Sequence, residues 1–140
     1  MLVRDWMTKT VVSGNPDTKL EVAEQLMAEH RFRHLPIVED GRLVGLVSHR
    51  DLLLFTLPSL DAESAASNQL LKATLRVDRV MQTNVSTIGP NDSLLDAARR
   101  MRKNKLGCLP VVDDGGLLVG LITETDFVKL AERILSAEPR

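Results

Sequence analysis

HLPIVEDGRLVGLVSHRD, residues 34–51, and CLPVVDDGGLLVGLITETD, residues 108–126, are two copies of one pattern. Each reads as an apolar strand, an acidic-glycine turn, a second apolar strand and a Ser/Thr-x-x-Asp start to a helix. Neither strand alternates apolar with polar residues, so both faces of each hairpin are expected to be covered. Gly45, inside the second strand, marks close approach by another backbone, a helix or a ligand.

The duplication extends on both sides of this stretch. Met81 − Met7, Pro90 − Pro16 and Pro110 − Pro36 all equal 74, whereas Gly120 − Gly45 and Asp126 − Asp51 equal 75. One extra residue therefore sits in the second hairpin turn, where an insertion costs little. Upstream of the first hairpin, Thr10–Val12 form a short β-prone run that ends at Ser13-Gly14-Asn15-Pro16. Thr18 and Glu21 have capping-box spacing, and Leu20, Ala23, Leu26, Met27 and His30 recur at helical intervals, which predicts a helix over about residues 18–31. The second copy has its helix capped near Asp92, with Leu94, Leu95, Ala98 and Met101 inward and Arg99, Arg100, Arg102, Lys103 and Lys105 outward. That basic run reads as a solvated helix face rather than a binding surface. After each hairpin a further helix begins, the first running from Ser48 through Leu52–Phe55 to a stop near Pro58. Residues 58–68, PSLDAESAASN, look like an exposed connection, and residues 68–75 add a helical turn.

The expected organisation is α+β: two β-α-β-β-α repeats, at residues 1–57 and 77–135, joined by a linker at 58–76 and followed by a tail at 136–140. A unit of about 60 residues is marginal alone. Two copies related by a pseudo-twofold axis can cover each other's apolar sheet face.

The chain has 140 residues, with 18 basic and 19 acidic residues and a net charge of −1. No overall field draws it to nucleic acid or an anionic membrane. One Trp, three Phe and no Tyr give little for base stacking. MLVRDWMTKT is charged too early for a secretory signal, and no apolar run approaches the ~20 residues of a membrane span. A soluble protein is expected. Cys108, the single cysteine, lies in an apolar run and reads as a packed thiol, compatible with a reducing cytoplasm. His30 and His34 lack companions at metal-ligand spacing, so no metal site is expected.

Ser48 with Asp51 and Thr123 with Asp126 carry two readings. As helix caps, they supply ~1 kcal/mol each. As a ligand site they do more: a helix N-terminus favours phosphate, and a carboxylate one turn in accepts hydrogen bonds from ribose hydroxyls. The strands before them, Leu35–Val38 with Pro36 and Leu109–Val112 with Pro110, offer apolar walls and backbone amides to an adenine.

RHLPIVEDGRLVGLVSHRD, GCLPVVDDGGLLVGLITETD and the openings VRDWMTKTVV and VDRVMQTNVSTI resemble a tandem pair of cystathionine β-synthase (CBS) domains, a Bateman module, over about residues 3–135. The resemblance implies two clefts between the paired sheets that take AMP, ADP, ATP or S-adenosylmethionine. It implies Asp51 and Asp126 as ribose acceptors, Ser48 and Thr123 as phosphate contacts, and Thr10–Val12 and Val85–Thr87 as edges of the base pocket. The halves differ in charge: Arg33, His34, His49 and Arg50 flank the first motif, where the second has Gly107, Cys108, Glu124 and Thr125. Polyphosphate is expected to prefer the site of Asp51.

The function expected is a non-catalytic regulatory module that senses adenine nucleotides, requires no cofactor, acts on an unknown regulated protein and forms a homodimer. No nucleophile with a base and no glycine-rich phosphate loop accompanies the repeats. The alternative is a ligand-free assembly module in which Ser/Thr-x-x-Asp only caps helices. A third reading is a detached piece of a larger enzyme or channel, against which Met1 and the polar end at Ala137–Arg140 favour a free-standing chain.

Overall fold

The computed structural model describes residues 1–55 and 61–139. In chain order the elements are α1 (Val3–Trp6), α2 (Leu20–His30), β1 (His34–Glu39), β2 (Arg42–Ser48), α3 (His49–Leu54), α4 (Ala62–Thr74), α5 (Leu94–Asn104), β3 (Cys108–Val112), β4 (Leu118–Thr123) and α6 (Glu124–Ser136), with a single 3-10 turn at Val77–Arg79. The architecture is α+β, as expected. The predicted stop of the first post-hairpin helix near Pro58 lies outside the described residues, as does Arg140.

The division into packed units differs from the division into sequence repeats. A contiguous unit comprises Val12–Val85, and a split unit joins Met1–Val11 to Ser86–Arg140. Each is built on one antiparallel hairpin, β1-β2 or β3-β4. In the contiguous unit the hairpin turns at Asp40 (φ 53°) and Gly41 (φ 79°) between the paired residues Glu39 and Arg42, the two-residue turn that Asp-Gly favours. The turn of the split unit is longer and is organised by Asp113, whose Oδ1 accepts from Gly115 N at 2.9 Å and Leu117 N at 3.0 Å. Both hairpins shift register at the same place, between Ile37 and Val38 and between Val111 and Val112.

Single bridges extend each sheet on both edges. Gly14 pairs with Ile37 and Gln82 with Leu46 in the contiguous unit; Ile88 pairs with Val111 and Thr8 with Leu121 in the split unit. The β-prone run Thr10–Val12 forms no strand: the chain touches the sheets only at Thr8 and Gly14, on either side of it. The opening strand of each repeat is thus reduced to one residue, Gly14 or Ile88. Thr8 and Gln82 are equivalent, since 82 − 8 = 74, and each makes a reciprocal pair of backbone bonds to its sheet, Thr8 with Leu121 at 2.9 and 3.0 Å and Gln82 with Leu46 at 2.9 Å both ways.

These bridges explain the in-strand glycines. A Cβ on Gly45 would overlap Met81 Sδ and lie 3.2 Å from Gln82 O; one on Gly120 would overlap Met7 Sδ and lie 3.1 Å from Thr8 O. The close approach that Gly45 announced is that of a neighbouring backbone and its methionine.

Behind each hairpin lies a small core. Leu20, Ala23 and Met27 of α2 meet Leu35, Ile37, Val47, Leu52 and Val77 in one unit; Leu94, Ala97 and Met101 of α5 meet Val3, Ile88, Leu109, Val111 and Ile122 in the other. On α5, Leu94 and Met101 point inward as expected and Ala97 joins them, but Leu95 is exposed and Ala98 is only half-buried. Ala97 shares the side of Leu94 and Met101, whereas Leu95 and Ala98 each lie one residue, or about 100° of helix, further round. The helix is capped by Ser93, whose Oγ accepts from Leu95 N at 3.1 Å, while Asp92 turns back to accept from Gly89 N. The expected Thr18–Glu21 capping box is absent: α2 starts at Leu20, and Thr18 Oγ1 accepts from Asn15 N instead. His30 is exposed and stacks on Phe32 with 5.9 Å between ring centroids.

The supposed connection after residue 58 is helical from Ala62. Asp61 caps α4 by accepting from Ser64 N at 2.7 Å, a bond that also holds its carboxyl below the usual range, and the alanine-rich run that follows propagates the helix. α4 lies on α2, where Lys72 Nζ meets Glu24 Oε2 at 2.9 Å. Its residue Asn68 is buried.

Gly45→Ala and Gly120→Ala are each expected to lower the unfolding free energy by ~1–3 kcal/mol through overpacking. In chemical denaturation, Gly45→Ala combined with Met81→Ala should cost less than the two separate losses added together, because the second change removes the clashing sulfur. Additive losses would show that the glycine is not there for the methionine.

Candidate functional site

In the contiguous unit β2 runs directly into α3 at Ser48. Its backbone is extended (φ −98°, ψ 158°), Ser48 Oγ accepts from Asp51 N at 3.0 Å, and Ser48 N donates to Asp51 Oδ2 at 2.9 Å. In the split unit β4 runs into α6 at Thr123, whose N donates to Asp126 Oδ2 at 2.8 Å and whose hydroxyl lies 3.4 Å from the same oxygen. Both aspartates are therefore held by one carboxylate oxygen against the helix start. Among the described residues neither Oδ1 has a hydrogen-bond partner. Asp51 is half-buried and Asp126 only 8 % exposed.

The hairpin register sets what stands opposite. His34 faces Ser48, and Cys108 faces Thr123. One residue beyond each pair the backbone closes again, with His49 N donating to Arg33 O at 2.8 Å and Glu124 N to Gly107 O at 3.3 Å. The cationic residues of the first motif thus collect at the end of the β1-β2 hairpin. Arg33 and His49 line an open groove of about 500 Å³ with Arg31, Glu24 and Lys72; Arg50 is exposed on the first turn of α3. His34 is half-buried. At the matching end of β3-β4, Glu124 and Thr125 are exposed and no cation replaces Arg33 or Arg50.

The remaining predicted residues divide between the units. Val12 and Val85 belong with Asp51, and Thr10 and Thr87 with Asp126, so each predicted base-pocket edge is split by the boundary between units. Thr10 is exposed, Val12 packs on the core of the contiguous unit, Val85 is half-buried, and Thr87 O accepts from Arg100 Nη1 at 2.9 Å. The rings of Pro36 and Pro110 are fully buried, and their carbonyls accept from Gly14 N at 2.9 Å and Ile88 N at 3.1 Å. Arg31, Phe32 and Lys72 were not among the sequence candidates. Arg31 turns into the left-handed region (φ 56°) as the cap of α2, which brings RFR around the helix end into the groove. A charged residue closing an amphipathic helix was the signal in the sequence.

Cys108 is buried, and loss of hydration pushes its thiol up to about 12. Among the described residues no group of three or more His, Cys, Asp or Glu is placed to hold a metal, and no helix is long and apolar enough to cross a membrane.

The fold and these paired β-to-α crossings define a tandem α+β repeat protein with a carboxylate at each crossing. The CBS domain family model matches residues 3–57 and 77–133, and the chain belongs to that family. It is 33% identical over 144 residues to a CBS domain-containing protein of Dictyostelium discoideum, covering 99% of this chain and 97% of the relative. It is 34% identical over 128 residues to an inosine-5'-monophosphate dehydrogenase of Thermoplasma acidophilum, but spans only 22% of that enzyme. Among solved structures, CBSX2 in complex with AMP matches with 30% identity and a TM-score of 0.78, covering 96% of this chain and 98% of that one. The CBS domain pair of protein MJ0100 in complex with 5-methylthioadenosine and S-adenosyl-L-methionine matches with 26% identity and a TM-score of 0.76, again over 96% and 98%.

Cys108 is expected to stay unmodified by a thiol reagent at pH ~8 in the native protein, where a thiol titrating near 12 holds roughly a thousandfold less thiolate than a free cysteine. Addition of denaturant should release rapid labelling. Rapid labelling of the native chain would contradict the burial.

Proposed function

We propose that the chain is a non-catalytic regulatory module that binds an adenosine-containing small molecule at the carboxylates Asp51 and Asp126. The observation that carries this reading is the unpaired Oδ1 on each, beside an Oδ2 already fixed by the helix start. A carboxylate held in one orientation with an oxygen to spare matches the vicinal hydroxyls of a ribose, which both donate. The ligands of CBSX2 and MJ0100 support it, because AMP, 5-methylthioadenosine and S-adenosyl-L-methionine share adenine and ribose and differ beyond the 5′ carbon. The ribose reader is repeated in both units. What surrounds it is not.

The differing surroundings support a different ligand end at each site. His49 and Arg50, which precede Asp51 in the sequence, and Arg33, whose carbonyl accepts from His49 N, suit the phosphates of AMP, ADP or ATP, with Ser48 as a further contact. Glu124 beside Asp126 disfavours phosphate and suits a neutral or sulfonium-bearing adenosine, held by Asp126 with Thr123 and Thr125. Such a chain reports adenine-nucleotide level to a regulated partner, acts in the cytoplasm and works as a homodimer. Exposed Leu53 and Leu54 of α3 and Val128, Ile134 and Leu135 of α6 supply apolar surface for pairing.

The test is calorimetry and thermal shift of AMP, ADP, ATP and S-adenosylmethionine against wild type, Asp51→Asn and Asp126→Asn. Asparagine keeps an acceptor for the helix start and removes the charge. A ligand at ~100 times its dissociation constant should add ~2.7 kcal/mol and raise the melting midpoint by several degrees. Asp51→Asn should weaken AMP and ATP ~10-fold, the loss of a charge-assisted bond. If no ligand shifts the midpoint, the chain is an assembly module with caps only; if both variants bind undiminished, the carboxylates do not read ribose.

A further inference from the structure

The two units are built alike at the start of their first long helix, and the likeness exposes a difference. Leu20 N donates to Leu75 O at 3.0 Å in the contiguous unit, and Leu94 N donates to Met1 O at 2.9 Å in the split unit. Val77 N donates to Thr18 O at 2.7 Å, and Val3 N to Asp92 O at 2.9 Å. All four donors and acceptors are offset by 74 (94 − 20, 75 − 1, 77 − 3, 92 − 18), so α5 stands for α2 and Met1 for Leu75.

In the contiguous unit the helix just before Leu75 is α4, and it covers one face of α2. Lys72 reaches Glu24 at 2.9 Å, and Lys19 Nζ donates to Thr74 O at 3.1 Å. The residues of α4 withdrawn from solvent, Ser64, Ala65, Ser67, Asn68, Leu71 and Lys72, form one helical stripe of mostly small side chains.

Among the described residues of the split unit no helix covers the corresponding face of α5. Leu95 on that face is 56% exposed, and Ala98 takes the place of Glu24 (98 − 24 = 74). Beside them opens an apolar groove of about 210 Å³, lined by Met1, Ser93, Leu94, Leu95, Ala98 and Phe127. Arg102 continues the stripe seven residues after Leu95, and Arg99, Lys103 and Lys105 flank it. All four cations are exposed, and none is in an ion pair among the described residues.

We propose that this face of α5 is a docking site for an acidic amphipathic helix of a partner protein, lying on α5 as α4 lies on α2. The contiguous unit shows the kind of element that fits the framework: a helix with a small-residue stripe, steered by one charge pair. In the split unit the carboxylate of Glu24 is replaced by Ala98 and the cations belong to the face itself, so the arriving helix supplies the acid. Its small side chains seat over Leu95 and Ala98, and its carboxylates meet Arg99 and Arg102. The basic run of α5, which reads in the sequence as a merely solvated face, becomes the rim of this site.

The test places a helix of known fit at the site. A second copy of residues 61–74, carrying Lys72→Glu, is joined directly ahead of Met1 in the full chain, so that it arrives as α4 arrives at Leu75. Leu95→Cys provides a thiol for maleimide labelling in extended and unextended chains, while Cys108 stays buried. The extension should slow labelling at least ~10-fold, and Arg99→Glu with Arg102→Glu should restore most of the rate. An unchanged rate in the extended chain overturns the proposal. So does a rate in the unextended chain that falls with protein concentration in step with dimerisation seen by sedimentation, since the face would then belong to a second copy. A concentration-independent rate supports a surface kept for a partner.

Discussion

A two-stranded hairpin is marginal in water, and among the described residues each sheet has two strands. What completes it is a single bridging residue on each edge, above all Thr8 on β4 and Gln82 on β2, each with two backbone hydrogen bonds. The methionine just before the bridge lies over a glycine in the strand, Met7 over Gly120 and Met81 over Gly45, and no other residue type leaves that space. Residues 1–11 therefore close the sheet formed by residues 108–123, and residues 77–85 close the one formed by residues 34–48. The reciprocal bridge on each hairpin thus comes from the other sequence repeat.

The site inherits its geometry from this closure. β2 and β4 are pinned in mid-strand by the bridges, and at their ends they are pinned by His49 N to Arg33 O and Glu124 N to Gly107 O. Ser48 and Thr123 have no freedom to choose another direction, so the helices begin where the strands stop and the aspartates are drawn back onto the caps. One carboxylate oxygen is consumed by folding and the other is left over. In the proposed reading, capping and ligand binding are consecutive uses of one group, with the cap fixing the orientation that ribose recognition needs.

Local patterns made much of this legible. The hairpins, the Asp-Gly turn, the Ser/Thr-x-x-Asp caps and the meaning of Gly45 all depend on neighbours in sequence, and they stand as read. Three features did not follow from local pattern. Thr10–Val12 has the composition of a strand, but strand formation needs an edge, and the edges available meet only Thr8 and Gly14. α4 resembles a linker because Ala, Ser and Asn serve both; the Asp61-x-x-Ser64 cap was its only mark. On α5 the spacing placed both Leu94 and Leu95 inward and only Leu94 is buried; the bond from Leu94 N to Met1 O, 93 residues away in sequence (94 − 1), anchors the start of that helix. The candidate site residues are named from types and spacings, while the split of residues 10–12 and 85–87 between units depends on long-range pairing.

The central claim is that a fixed carboxylate with one spare oxygen reads a ribose. Calorimetric titration of the wild-type chain with AMP and with its 2′,3′-dideoxy analogue tests it without altering the protein. The account predicts that removing the two hydroxyls weakens binding by at least ~10-fold, since each carboxylate-hydroxyl bond is charge-assisted. Equal affinity for the two nucleotides would contradict it.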